Sequence, residues 1–299
     1  MNLYSTKTIR QLKEKYGFRF AKGLGQNFLT DPSVPEAMIA GSQIGPEDLV
    51  IEIGPGIGVL TAAAAEAAGR VVAIEVDERL LPILDETLQE YDNIEIICAD
   101  VLKTDLREII ETQKTKNQIT GDVRIIGNLP YYITTPIIMK LLEEELPVKT
   151  ITVMMQKEVA DRIESGPGSK AYGAISVAVQ YYAEVSRIVS VPKEVFLPSP
   201  KVDSAVLLLE LRETRAVQPL DETQFFACVR AGFGQRRKTL SNALCGAGKI
   251  PKETVREALS AAGIDESRRA ETLSIEEFAR IADELTTREG SEWKRTETN

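Results

Sequence analysis

The run Asn128-Leu129-Pro130-Tyr131 closes an apolar segment and sets neutral acceptors beside an aromatic ring. The Asn128 side-chain carbonyl and the Leu129 backbone carbonyl can take the two hydrogens of an amine, while Pro130 stiffens the turn and removes a competing amide donor. Such a pair suits the exocyclic amine of adenine, whose lone pair is delocalised into the ring until the nitrogen pyramidalises. Tyr131 then stacks on the base. Turning a base out of an RNA stack costs a few kcal/mol, and aromatic stacking returns about 1–3 kcal/mol per base. Phe196, in the turn Phe196-Leu197-Pro198-Ser199-Pro200, is placed by topology to cover the second face. The competing readings are a plain turn for 128–131 and an ordinary core aromatic for Phe196.

A second group of residues reads as a nucleotide-type ligand site. Glu52-Ile53-Gly54-Pro55-Gly56-Ile57-Gly58 ends one apolar run and leads straight into a helical pattern, so small residues let the backbone approach a ligand. The dinucleotide fingerprint would place glycine at position 59, where this chain has Val59. Glu75 ends the next apolar run about 20 residues on, where a carboxylate can accept both ribose hydroxyls. Asp100 follows the third run and can accept from an adenine amino group, although a helix N-cap is its commonplace use. Acids without a Walker lysine motif suit S-adenosylmethionine, which carries no phosphate, better than a dinucleotide or ATP. Glu52 is read as orienting the loop or the methionine ammonium.

These residues need strands to hold them. Val50 to Ile53, Val71 to Ile74, Ile94 to Ile97, Arg124 to Ile126 and Thr150 to Met155 are nearly continuous in apolar residues, as strands covered on both faces are. Helical patterns over Val59 to Ala68, Arg79 to Glu90 and Thr135 to Glu145 alternate with them, which predicts a doubly wound α/β fold. Val185 to Val191 and Ser204 to Leu211 read as an antiparallel terminal hairpin on that mostly parallel sheet, and polar Glu111 to Asp122 reads as a loop. After Pro219 the pattern is helical only: Glu222 to Leu244, Pro251 to Ala262 and Ser274 to Thr286. The expected domains are 1–215, catalytic with a basic arm at 1–24, and 216–299, small and all-helical, with the boundary near 212–220.

Composition narrows the chemistry further. The 299 residues contain no histidine, so no imidazole serves as general base, nucleophile activator or metal ligand, and no metal site is expected. Cys98, Cys228 and Cys245 form no CxxC pair and are read as small buried apolar residues. No segment approaches the length of apolar chain a membrane span needs, and 1–22 lacks a signal peptide's apolar centre, so a cytoplasmic address is expected. The net charge of -9 disfavours indiscriminate nucleic-acid coating, yet basic residues cluster. Lys7 to Lys22 holds six bases and one acid, and Thr223 to Lys252 holds six bases and no acid. Lys22, Arg230, Arg236, Arg237 and Lys238 are the candidate phosphate contacts, against the plainer reading of solvated faces.

The motifs together resemble the bacterial small-subunit ribosomal RNA adenine dimethyltransferases. The resemblance runs over nearly the whole chain, through Gly25 to Asp31, Glu52 to Gly58, Asn128 to Tyr131, Gln156 to Val159, Ser169 to Gly173, Phe196 to Ser204 and Gly234 to Leu240. It implies a class I methyltransferase fold and dimethylation of two adjacent adenosines in the hairpin loop near the 3′ end of small-subunit rRNA. An assembling 30S particle is the implied partner, with a role as assembly checkpoint, and a monomeric protein is expected. It also implies that Asn27 and Leu29 join Gly54, Gly56, Glu75, Asp100 and Asn128 in holding the cofactor. Many relatives carry asparagine where this chain has Tyr132. Two rival functions are a large-subunit rRNA adenine dimethyltransferase and a non-catalytic assembly factor.

Overall fold

The computed structural model describes residues 1–18, 25–235, 237–248 and 250–289. Two compact units divide the chain: Met1–Ala160 with Glu184–Leu211, and Asp161–Ala183 with Arg212–Asn299. In chain order the first half contains α1 Thr6–Lys15, β1 Phe28–Leu29, α2 Ser33–Ser42, β2 Leu49–Ile53, α3 Val59–Ala67, β3 Arg70–Glu75, α4 Leu81–Thr87, β4 Ile94–Cys98, α5 Leu106–Asn117, β5 Val123–Asn128 and α6 Thr134–Glu143. There follow β6 Thr150–Gln156, α7 Lys157–Glu164, α8 Ala174–Tyr182, β7 Ala183–Val191, β8 Phe196–Leu197, β9 Ser204–Leu211, α9 Glu222–Gly234, α10 Leu240–Gly248, α11 Lys252–Ala261 and α12 Ile275–Glu289.

The first unit is built on a seven-stranded sheet of order β4-β3-β2-β5-β6-β9-β7. Every residue of β2 is buried, as are all but the first of β3, because helices cover both faces. β2 pairs in parallel with β3 on one side and β5 on the other, so the winding reverses direction there and opens a crevice at the strands' carboxyl ends. β9 runs antiparallel to β6 and lies between it and β7, which is the terminal arrangement the two last apolar runs foretold. A small second pairing, β1 with β8, sets Leu29 opposite Phe196.

One charge lies deep in this sheet. Arg124 of β5 is 7% exposed and gives its Nε to Asp48 Oδ2 at 2.6 Å and its Nη1 to the Ser42 carbonyl at 2.9 Å. Burial works to raise the Asp48 carboxyl, but the Arg124 guanidinium and the Gly45 and Asp122 amides outweigh it and hold the group below its ordinary value. Removing one member of such a pair strands the other charge, at a cost of about 3–5 kcal/mol.

Several expectations need correction. The polar stretch read as a loop at 111–122 is largely α5, which Asp105 caps by accepting from the Glu108 amide and which buries Leu106 and Ile110. Two buried aliphatics one helical turn apart suffice to dock it, while the polar majority faces water. The long helix read over 222–244 is two, because the chain leaves helical geometry after Gly234 and turns through Lys238 N to Gln235 O before Leu240 restarts it. Glycine there is a poor helix former and lets the ladder end. Cys228 is buried, but Cys98 is exposed at the carboxyl edge of β4 and Cys245 is intermediate.

The second unit gathers more chain than a boundary near 212–220 would give it. Residues 161–183, read with the first domain, pack with the C-terminal helices instead. Tyr181 stacks on Phe225 at 5.3 Å and Tyr182 on Phe226 at 6.0 Å, with both phenols donating to Glu222. Tyr172 meets Phe233 edge-on at 5.5 Å, and Gln180 Nε2 ties the Ile163 and Ser165 carbonyls. Among the described residues no helix is long and apolar enough to cross a membrane.

Candidate active site

A cleft with an empty volume of ≈ 940 Å³, its open mouth included, lies at the carboxyl ends of β2, β3, β4 and β5. Its floor is the glycine loop after β2. Gly54 and Gly56 adopt positive φ of 72° and 61°, and a Cβ on Gly56 would stand 3.0 Å from the Phe28 ring. Glycine is therefore required at 56 both for its backbone and for the closeness of β1.

Three acids line the cleft. Glu75 is 5% exposed and accepts from the Asp77 amide at 2.8 Å through Oε1 and from the Gly56 amide at 3.4 Å through Oε2. Burial raises its carboxyl, and those amides offset part of the rise. Asp100 spends Oδ1 on the Leu102 amide at 3.0 Å in the turn before α5, whose N-cap is Asp105 and not Asp100, and Oδ2 lies 3.3 Å from Lys103 Nζ. Asp100 also lies in the cleft wall. Glu52 is 1% exposed, and its Oε2 has no hydrogen-bond partner among the described residues. Burial, joined by the charge of Glu75 and opposed by the Thr61 hydroxyl, pushes its carboxyl up to about 8.

Asn128 ends β5 at the cleft, half-buried. Its Nδ2 donates to the Asn27 carbonyl at 3.2 Å, which commits the amide's donor end to the 25–27 strap and leaves Oδ1 as the acceptor end. The Pro130 carbonyl accepts from the Ile133 amide and the Thr134 hydroxyl, so the turn is locked to the start of α6. The strap itself is fastened by Gln26 Nε2 to Asp77 Oδ2 at 2.8 Å and by Asn27 Nδ2 to the Gly25 carbonyl at 2.9 Å. Arg79 grips both Asp77 oxygens at 2.7 and 2.6 Å and holds that carboxyl below its ordinary value, helped by Gln26.

The structure thus brings Asn27, Leu29, Gly54, Gly56, Glu75, Asp100, Asn128 and Pro130 around one cleft. Leu129 is buried beside it, and its amide is bound to the Met154 carbonyl at 3.0 Å. Tyr131 is half-buried, with its hydroxyl 2.8 Å from Ser204 Oγ. Phe196 is 4% exposed and belongs to the core cluster that contains Phe28 and Leu29, so its position is that of the core aromatic. The open ring in the cleft wall is Tyr132, 56% exposed. Gln26 and Asp77 were missed in the sequence; only the position of Asp77 two residues past Glu75 hinted at a shared role. In the second unit Arg230, Arg237 and Lys238 are exposed, whereas Lys22 and Arg236 lie outside the described residues.

A doubly wound sheet with this strand order and a ligand cleft at its switch point defines a class I methyltransferase fold. The family profile described as ribosomal RNA adenine dimethylase matches residues 17–287, and the chain belongs to that family. It is 50% identical over 282 residues to "Ribosomal RNA small subunit methyltransferase A" of Alkaliphilus oremlandii, covering 94% of this chain and 97% of that one. The same-named protein of Clostridioides difficile is 47% identical over 289 residues, covering 97% and 99%. Among solved structures, a dimethyladenosine transferase from Plasmodium falciparum superposes with a TM-score of 0.71 at 24% identity, over 85% of this chain and 95% of that one. The 23S rRNA methyltransferase ErmE gives 0.65 at 26%, over 86% and 99%.

Membership makes this chain an enzyme that dimethylates adenine in ribosomal RNA, with S-adenosylmethionine as methyl donor. The cleft fits that donor. Among the described residues no lysine or arginine lines it, while Glu52, Glu75 and Asp100 do, as a cationic ligand without phosphate requires. The unpartnered oxygen of Glu52 awaits a donor.

Proposed function

We propose that the chain dimethylates the N6 amines of two adjacent adenosines in the hairpin loop near the 3′ end of small-subunit rRNA, inside an assembling 30S particle. The observation that carries the chemistry is the anchored amide of Asn128 in the cleft lining, whose Nδ2 donates to the Asn27 carbonyl and so fixes which end of the amide can accept. The choice of subunit is supported by the relatives near 50% identity that carry the small-subunit name. The protein acts in the cytoplasm as a monomer.

In this reading Glu75 accepts from the ribose hydroxyls and Asp100 from the adenine amine of the cofactor, with Gly54, Gly56, Asn27, Leu29 and Asn128 shaping the rest. S-adenosylmethionine supplies an electrophilic methyl group on a sulfonium centre. Asn128 Oδ1 and the Leu129 carbonyl each take a hydrogen of the target amine and draw its lone pair out of the ring plane. Pro130 keeps the turn rigid and Tyr131, its phenol tethered to Ser204, stacks on the base. Tyr132 adds a second ring at the mouth, while buried Phe196 supports β1 from the core in place of covering the base. No strong base is needed, since the attacking nitrogen becomes acidic and sheds its proton afterwards; a chain without histidine loses nothing by this. Arg230, Arg237 and Lys238, with Lys22 and Arg236, contact RNA phosphates.

Incubating the purified protein with S-adenosylmethionine and small subunits from cells lacking this gene should place four methyl groups on two neighbouring adenosines, read by mass spectrometry of the nucleosides and oligonucleotides. Methyl transfer to large-subunit rRNA with none to the small subunit would reverse the assignment.

A further inference from the structure

The sheet fixes the backbone of Asn128, but its amide plane turns about a terminal torsion with broad rotamer preferences. The Asn27 carbonyl, accepting from Asn128 Nδ2 at 3.2 Å, sets that plane. Whatever holds the Asn27 carbonyl is therefore part of the site. Downstream of it the chain enters β1, where Phe28 pairs with Leu197 and Leu29 with Phe196, and Thr30 gives both its amide and its hydroxyl to the Val195 carbonyl. Upstream, Gly25 lies against the Pro130 turn, where an added Cβ would meet Pro130 Cβ at 3.5 Å, and Gln26 gives Nε2 to Asp77 Oδ2 at 2.8 Å. The carbonyl hangs between two anchors, and the upstream one is a bond between side chains far apart in the chain.

Asp77 is well made for an anchor. It is 6% exposed, lies outside the cleft lining and caps the turn Glu78–Leu80 by accepting from the Arg79 amide. The Arg79 guanidinium clasps both its oxygens, which leaves the carboxylate little freedom to rotate. Its own amide donates to Glu75 Oε1 at 2.8 Å. A continuous path thus runs from the acid ending β3, through Asp77, Gln26 and the Asn27 carbonyl, to the amide ending β5, across β2 that separates those strands in the sheet.

We propose that Asp77 and Gln26 are positioning residues for methyl transfer: their bond fastens the 25–27 strap, and the strap keeps the Asn128 amide in one orientation relative to the cofactor. They act on the rate of transfer, through Asn128. A slack strap lets the amide turn its NH2 toward the target amine, donor against donor, and the productive fraction falls. The proposal rests on the reading of Asn128 as an acceptor for that amine. Gln26 itself lines the cleft, so a direct cofactor contact is the alternative the experiment has to separate.

Single-turnover methylation of small subunits from cells lacking the gene, at saturating S-adenosylmethionine, reads the rate, and equilibrium dialysis of the labelled cofactor reads affinity and folding together. Gln26→Ala should slow transfer about 10–100-fold while cofactor affinity stays within about threefold, as loss of orientation without loss of contact does. In an Asn128→Ala background the same substitution should add almost nothing, because the two act through one group. Gln26→Glu sets two carboxylates together and should be as slow as Gln26→Ala. Adding Asp77→Asn should restore most of the rate, since the amide introduced at 77 donates to the carboxylate introduced at 26. An unchanged rate in Gln26→Ala, a full additional loss in the Asn128→Ala background, or no recovery in the exchanged pair would each overturn the proposal. A loss confined to cofactor affinity would make Gln26 a ligand contact instead. If Asn128→Ala alone left the rate unchanged, the reading of Asn128 would fail and the proposal with it.

Discussion

Replacing Asn128 with Ala should slow methyl transfer by about 10²–10³-fold at saturating cofactor, as removal of one fixed polar group from a transition-state site does in other enzymes. The loss is expected on the rate and not chiefly on RNA affinity, because in the proposed geometry Asn128 touches an atom that changes charge during the reaction, whereas RNA binding would be spread over many phosphate contacts. Single-turnover kinetics with mass spectrometric detection separates the two methylations. After the first transfer only one amine hydrogen remains, so one acceptor must let go before the second. The two steps should therefore respond unequally to Asn128→Ala. Equal slowing of both steps would contradict the division of labour between Asn128 and Leu129, and unchanged rates would remove Asn128 from the chemistry. Asn128→Asp is a sharper probe of the strap, since it keeps the side chain's shape but loses the donor held by the Asn27 carbonyl at 3.2 Å.

Glu75→Ala should abolish detectable cofactor binding at concentrations that saturate the native protein. In the proposed binding mode two charge-assisted hydrogen bonds to vicinal hydroxyls are lost, each worth about 1.5–3 kcal/mol, so affinity should fall by two orders of magnitude or more. The carboxylate also accepts from the Asp77 and Gly56 amides, which makes it a brace between β3 and the glycine loop in addition to the proposed ligand role. Glu75→Gln preserves the shape and should recover part of the affinity. Equilibrium dialysis with labelled S-adenosylmethionine measures both variants, and circular dichroism checks their fold. A Glu75→Ala protein that binds the cofactor as tightly as the native one would place the ribose elsewhere.

The sheet was legible in the sequence because its strands are covered on both faces. Continuous runs such as Val71 to Ile74 admit few other structures, and the acids that follow them mark strand ends regardless of what the strands pack against. The Asn128 to Tyr131 turn was legible for a chemical reason, since neutral acceptors followed by proline and an aromatic ring suit few other purposes. What escaped depends on partners far along the chain. Gln26 reaches Asp77 across 51 positions, and nothing in either local pattern announces the pair. The turn of Phe196 suggests a place beside the base, but nothing local announces its pairing opposite Leu29, where the ring is buried. α5 hid behind its polar surface, and residues 161–183 hid their membership of the second unit, because helical aromatics such as Tyr181 show that they are buried without showing against what.

Methylation of small-subunit adenines in this cleft is open to test in living cells. The most direct measurement compares N6,N6-dimethyladenosine, mapped by mass spectrometry of ribosomal RNA fragments, in cells with the gene, without it, and with the Asn128→Ala allele. Two adjacent dimethyladenosines near the 3′ end of small-subunit rRNA are expected with the gene, unmodified adenosines without it, and strongly reduced modification with the allele. Small-subunit rRNA that keeps both modified residues when the gene is absent would contradict the proposed function.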